Sequence, residues 1–245
     1  MDFDVLRRDM VDSLEHETKG VVSTPAVAEA FRAVPRHEFV PEGHRAYLDK
    51  AFENDGSRVL APSTAARLLE ALEPTADARV LIVGAGVGYT AALLAEIADG
   101  RQVQALDISR ELVYTARENL ASAGYEDVLV NQGDGAEGLP SYAPFDRILV
   151  EAAAVEAPPA LLDQLADGGR LVLPRGVREQ TLVAHTPGGL ETFGPTALDP
   201  LLVDGEQAGA IERNRTRREE AERAQRAADS RSGWEQEWID WEERR

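Results

Sequence analysis

Hydrophobic positions recur at helical intervals over Asp4 to Leu14 and Thr24 to Ala33, then stop at a proline-bounded connection, Val34 to Pro41. Pro62 to Leu72 is helical again, opened by Pro62 and Ser63, with Ala65, Leu68, Leu69 and Leu72 spaced to share one face. From there the period alternates. Strand-like runs at Arg79 to Val83, Gln102 to Leu106, Val128 to Asn131, Arg147 to Val150 and Arg170 to Leu173 are separated by helical segments that begin near Thr90, Ser109 and Pro159. Strand followed by helix, repeated, predicts an α/β, doubly wound architecture: a parallel sheet covered on both faces. Past Gly205 the residues become charged and helix-favouring. The pattern divides the chain into N-terminal helices at 1–74, an α/β core at 75–205 and a charged helical tail at 206–245.

Composition narrows the setting. The chain of 245 residues is 43% hydrophobic, enough to bury a full core. No apolar run approaches the roughly 18 to 20 residues of a membrane span, and MDFDVLRRDM lacks a signal-peptide core, so a soluble, cytoplasmic protein is expected. There is no cysteine, which excludes disulfides, thiolate metal ligands and cysteine nucleophiles. His16, His44 and His185 stand without a second ligand at metal spacing, and no metal site is expected. Formal charge is -18, and the basic residues are nearly all arginine, with Lys19 and Lys50 the only lysines. Such a surface suits a salt-adapted cytoplasm or a basic partner, and it repels polyanions unless a basic patch intervenes. The one basic cluster, Arg213 to Arg218, runs straight into EEAER, the interleaving of a solvated helix rather than of a nucleic-acid surface.

Candidate chemistry begins in VLIVGAGVGYTAALLAEIADGRQVQALD, Val80 to Asp107: strand, glycine turn, helix, and a second strand ending on an acid. The dinucleotide fingerprint wants a third glycine at position 89, where this chain has Tyr89. Its glycines fall at Gly84, Gly86 and Gly88. A nucleoside without phosphates, such as S-adenosylmethionine, needs only close backbone approach at the glycines and an acid for the ribose hydroxyls, a place that Asp107 fits. Either cofactor class uses an acid here. Downstream, NQGDGAEGLP puts Asp134 after the third strand, at the rim where ligands of open parallel sheets sit and where an acid can accept from an adenine amino group. With APFDRILVEAAA and LLDQLADGGRLVLPRG following in order, the pattern favours the methyl donor over a dinucleotide.

At this point the sequence resembles protein-L-isoaspartate O-methyltransferases over about Met10 to Leu202. The segments that carry the likeness are AVPRHEFVP, AYLDKAF, VLIVGAGVGYTAALLAEI, GDGAEGLPSYAPFDRILV and QLADGGRLVLPRG. The resemblance implies a Rossmann-like, S-adenosylmethionine-dependent methyltransferase fold with an N-terminal helical addition and a C-terminal helical tail. It implies S-adenosyl-L-methionine as cofactor, held by Gly84, Ala85, Gly86, Gly88, Asp107, Asp134 and Gly135. Isoaspartyl-containing proteins or peptides would be the substrates, methylated on the free α-carboxylate so that the ester closes to a succinimide. Arg36 and His37, in VPRHEFVP, are placed either to contact substrate or to fix the N-terminal helices.

The family pattern before its first cofactor helix reads roughly Gly-Gln-Thr-Ile-Ser-x-Pro, and its counterpart here is GSRVLAP, Gly56 to Pro62. Anchored on Pro62, the family's serine falls on Leu60 and its threonine on Arg58. Two further departures are Ile82, where an acid is usual, and Glu151, where a threonine is usual beside the cofactor. Three readings stay open. Isoaspartyl methylation persists, with Arg58, facing the donor methyl group, or Ser57 holding the carboxylate; or the acceptor has changed; or the chain binds cofactor without catalysis. The tail adds Trp234, Trp238 and Trp241, spaced to lie on one helical face that would dock on the protein's own domain, close over the acceptor site or self-associate.

Overall fold

The computed structural model describes residues 2–16, 18–41, 43–54 and 57–202. The expectations for Gly56, the basic cluster and the tryptophan stripe lie outside these residues.

The N-terminal part opens with α1 (Phe3–Glu15), whose first amides are capped by the Asp2 carboxylate at 3.1 and 3.4 Å. Helix α2 (Pro25–Ala33) starts on a proline, which lacks the amide that a first turn leaves unpaired anyway. A short hairpin, β1 (Phe52–Asn54) and β2 (Ser57–Val59), precedes α3 (Pro62–Leu72), which begins on Pro62 and ends as Glu73 turns left-handed at φ 51°. Buried residues of α1, α2 and α3 join one core cluster with α4 and α5.

The α/β part runs β3 (Val80–Val83), α4 (Tyr89–Ile97), β4 (Val103–Asp107), α5 (Arg110–Ser122), β5 (Leu129–Gln132), β6 (Phe145–Val150), α6 (Pro159–Leu162), β7 (Leu165–Arg175), β8 (Gln180–Thr186) and β9 (Gly189–Thr196). Sheet order is β5-β4-β3-β6-β7-β8-β9. The five strands from β5 to β7 are parallel, as the alternation predicts, but β8 and β9 are antiparallel, so the sheet is mixed. The correction has a local cause. After β7 the chain has no helical run that could cross back over the sheet: Gly176 to Glu179 turn it directly into β8, and Pro187-Gly188 turn β8 into β9.

Two apolar layers flank the sheet. Ile82, Ala105 and Leu149 face the cluster shared with the helices α3, α4 and α5, whereas Val83, Leu106 and Val150 face the layer that includes Leu161 of α6. Alternation along β3 makes that division, since adjacent residues of a strand point to opposite faces. Chain order reverses at β3, with β4 on one side and β6 on the other, and a crevice opens there beyond the carboxyl ends of the strands. Among the described residues no helix is long and apolar enough to cross a membrane, and no group of three His, Cys, Asp or Glu could hold a metal ion.

Candidate active site

At the mouth of that crevice β3 gives way to Gly84-Ala85-Gly86-Val87-Gly88. The amides of Gly84 and Ala85 both donate to the Leu106 carbonyl at 2.9 Å, and Gly88 donates to Ala85 at 2.9 Å, which curls the chain into the start of α4. Gly84, Gly86 and Gly88 have φ of 90°, 52° and 91°, a region in which side chains are strained. Gly88 has a packing reason as well. A Cβ there would come 3.1 Å from Leu120 and 3.3 Å from the Ala116 carbonyl, so this glycine lets α4 approach α5.

Tyr89 explains itself by its direction. It is buried on the N-terminal side, ring to ring with Phe39 at 5.6 Å and Phe31 at 6.3 Å, and serves as a clamp for α2 and the connection that follows. Burial pushes its phenol well above the usual range.

Asp107 ends β4 beside this turn. One carboxylate oxygen accepts from the Gly86 amide and the other from the Ser109 amide, each at 2.9 Å, so the group is aimed before any ligand arrives. Burial raises its pKa, with the amides of Ser109, Gly86 and Ile108 opposing. The Gly133 amide donates to the Asp107 carbonyl at 3.0 Å and stitches the GDG loop to the end of β4. In that loop Asp134 is half-buried and accepts from the Ala136 amide at 2.8 Å. Gly135 packs so closely on Val83 and Leu201 that a Cβ would meet them at 2.6 and 2.9 Å.

Register brings in one further group, at a position where the family usually has threonine. Val83 pairs with Leu106 on one side and with Val150 on the other, so one row further along the sheet stand Asp107, Gly84 and Glu151. Two carboxyls thus flank a residue without a side chain. The one signal for Glu151 in the sequence was an acid directly after the apolar run ILV, at the end of a central strand.

The loop that faces the glycines is β2 and its continuation. Ser57 points toward them, with its Oγ 3.2 Å from where a Cβ on Gly86 would sit, and Val59 on the same side is buried. Arg58 takes the opposite side, exposed, with its guanidinium 3.9 Å from Glu53. Strand alternation thus puts Ser57 on the side toward the glycine turn and Arg58 on the side away from it. Leu60 packs partly buried against the core, and its carbonyl accepts from Arg36 at 2.6 Å.

Arg36 is fully buried and settles the choice left open for it. Its guanidinium donates to the carbonyls of Ala46, Lys50 and Leu60, and lies 5.2 and 5.5 Å from the ring centroids of Tyr89 and Phe52. Carbonyl and aromatic partners replace a counter-ion, and burial lowers its pKa. His37 stacks on Phe3 at 4.1 Å and bonds the Tyr47 hydroxyl at 2.7 Å. Arg36 thus ties the N-terminal connection to the loop, and His37 ties it to α1 and Tyr47.

The family model for protein-L-isoaspartate(D-aspartate) O-methyltransferases matches residues 7–187. The chain belongs to this family. Among protein-L-isoaspartate O-methyltransferases it is 44% identical to that of Aeropyrum pernix over 191 residues, 75% of this chain and 73% of that one. It is 44% identical to the enzyme of Methanopyrus kandleri over 208 residues, covering 80% and 91% of the two chains. A solved protein-L-isoaspartate O-methyltransferase superposes with a TM-score of 0.71 at 27% identity, over 86% of this chain and 69% of that one. A Plasmodium falciparum structure of the same class, in complex with S-adenosyl-L-homocysteine, gives 0.71 at 21% identity over 80% and 98%, a likeness that speaks for the fold. The methyltransferase fold and the family are thus those that the motifs imply.

Proposed function

We propose that this protein is an S-adenosylmethionine-dependent methyltransferase that esterifies the free α-carboxylate of L-isoaspartyl residues, the first step in repair of damaged aspartyl and asparaginyl sites. The observation that carries this reading is the glycine turn closed by Asp107, set in a chain that matches the family model from residue 7 to residue 187. The residues present fit the cofactor. Gly84 and Gly86 give it backbone to approach, Asp107 has lone pairs left for ribose hydroxyls, and an enclosed carboxyl oxygen of Glu151 awaits a partner. Ala85, Gly88, Asp134 and Gly135 shape the same rim. S-adenosylmethionine, when bound, supplies the methyl group as a sulfonium.

The acceptor carboxylate is ionised well above its pKa of roughly 4, so it attacks the methyl carbon without a general base. The protein's part is to hold oxygen and methyl carbon in line and to keep water out. Ser57 is placed to donate a hydrogen bond to that carboxylate from beside Gly86. Arg36 holds the loop that carries it. The net charge of -18 supports a salt-rich cytoplasmic setting.

Transfer of labelled methyl from S-adenosylmethionine to an isoaspartyl peptide, beside its normal aspartyl twin and at high and low salt, tests the reading. Label should enter the isoaspartyl peptide alone. Donor binding without such transfer would shift the conclusion to a changed acceptor, the reading that Leu60 in place of a hydroxyl favours.

A further inference from the structure

The crevice holds one more ionisable group than the hydrogen bonds inside the protein account for. Glu151 follows β6, and its Cβ comes against Gly84, where a side chain on the glycine would lie 3.6 Å from it. The backbone there is fixed, since the Glu151 amide donates to the Val83 carbonyl at 2.8 Å. Its Oε1 is enclosed and has no hydrogen-bond partner among the described residues. The charged and polar groups that act on it are the Asp107 carboxylate at the end of β4 and the Thr90 hydroxyl on α4; β3 contributes only the glycine backbone. Burial, with Asp107 reinforcing and Thr90 opposing, pushes the carboxyl up to about 7.

Such a group has two possible uses. A base is not needed, because the acceptor is already an anion at neutral pH. A counter-charge is needed. Asp107 has one amide on each oxygen and keeps its remaining lone pairs for the ribose, whereas Glu151 has an oxygen with no partner among the described residues, and a cation beside an enclosed carboxyl favours its ionised form. The two carboxyls stand on either side of Gly84, two strand spacings or about 10 Å apart at the backbone. They therefore address two ends of a ligand lying across the glycine turn. Ile82 lines the same face of β3 and brings no charge of its own.

We propose that Glu151 is the counter-charge for the cationic amino-acid end of the donor, receiving its ammonium or its sulfonium while Asp107 takes the ribose. This rests on the donor reading above and adds a binding residue to it. Because the carboxyl must ionise to act, donor binding releases a proton near neutral pH.

Calorimetric titration of the full chain with S-adenosylmethionine and S-adenosylhomocysteine, in two buffers of different ionisation enthalpy between pH 5.5 and 7.5, tests this. Wild-type affinity should rise several-fold over that range with release of a fraction of a proton. Glu151→Gln should bind about 10- to 100-fold more weakly at pH 7.5, and its affinity should be flat with pH. Equal loss for both ligands assigns the ammonium; loss for S-adenosylmethionine alone assigns the sulfonium, which the homocysteine product lacks. Glu151→Thr, with a smaller neutral side chain, should repeat the loss and guards against a folding defect peculiar to one variant. Wild-type affinity in both variants, with an unchanged proton release, overturns the proposal while leaving the donor reading intact. Failure of the wild type to bind either ligand removes the donor reading itself.

Discussion

The proposed donor cradle and the proposed acceptor loop stand face to face but are held by different means. The cradle grows out of β3, β4 and β6, three adjacent parallel strands, and its positions follow from their register. The loop at Ser57 to Leu60 belongs to a two-stranded hairpin and hangs from Arg36. That anchor grips main-chain carbonyls, which every residue type supplies. The loop can therefore change its side chains, Leu60 for a serine and Arg58 for a threonine, and keep its place. In the cradle the backbone is committed, and variation is confined to what projects from it, as at Ile82 and Glu151.

Removing the anchor should have the largest effect. Arg36→Met strips the donors from the buried carbonyl of Ala46 and the partly buried carbonyls of Lys50 and Leu60; a buried group left unpaired costs about 1–3 kcal/mol, and the variant should lose about 3 kcal/mol in unfolding free energy. In protein that remains folded, methyl transfer should fall far more than donor affinity. A denaturation midpoint and transfer rate equal to wild type would show that the loop is held by something else.

The second effect is a pH slope in the cradle. Glu151 has an ordinary value near 4.5 and is pushed up to about 7 in the folded protein. Below 4.5 both states keep the proton. Between 4.5 and 7 the unfolded chain gives it up first, so stability falls as pH rises, by on the order of 3 kcal/mol, and levels off above 7. Glu151→Gln should lack this component and be the more stable protein at pH 8 without ligand. Parallel stability curves for the two between pH 5 and pH 8 would refute the assignment.

How much of this could be read from the residues follows the same division. Strands β3, β4 and β6, the glycine turn and Asp107 were legible because a buried parallel sheet needs apolar runs and a turn beside a ligand needs glycine. Helix α3 was legible to the residue, since Pro62 marks its start and its apolar spacing marks its face. The β8–β9 hairpin was missed although Pro187-Gly188-Gly189 announces a turn, because the helix–strand alternation before it suggested that the pattern would continue. Arg36 was left between two roles, as its partners are carbonyls and no spacing in the sequence reports those. The side that Arg58 takes was illegible for a related reason. The aligned motif gave its position, but only the pairing of Glu53 with Arg58 across β1 and β2 shows which side it takes.

Asp107 tests the cradle more gently than the anchor tests the loop. Asp107→Ala removes the acceptor for two backbone amides and for the proposed ribose hydroxyls, and should weaken S-adenosylhomocysteine binding by roughly 1–3 kcal/mol. The fold should persist, because the surrounding strands are held by their own ladder. Tight binding of a dinucleotide, with none of S-adenosylhomocysteine, would mean that the glycine turn has been misread.

The smallest effects fall within the loop, where they separate its two faces. Ser57→Ala should lower transfer to an isoaspartyl peptide by about 10-fold, near the 1.4 kcal/mol that a hydrogen bond to a charged group can contribute, while donor affinity stays within two-fold. Arg58→Ala should do less. Its guanidinium is exposed and its contact with Glu53 is 3.9 Å long, the kind of pair that contributes at most about 0.5 kcal/mol. Stability and donor binding should be unchanged, and transfer should fall by less than it does in Ser57→Ala. If Arg58→Ala abolished transfer while Ser57→Ala left it intact, the hairpin would have to present its other face to the substrate. Leu60→Ser then sharpens the comparison. The hydroxyl it restores would sit on a residue whose carbonyl Arg36 already holds, so a gain in transfer would show that the anchor positions the residue at 60 for the acceptor as well.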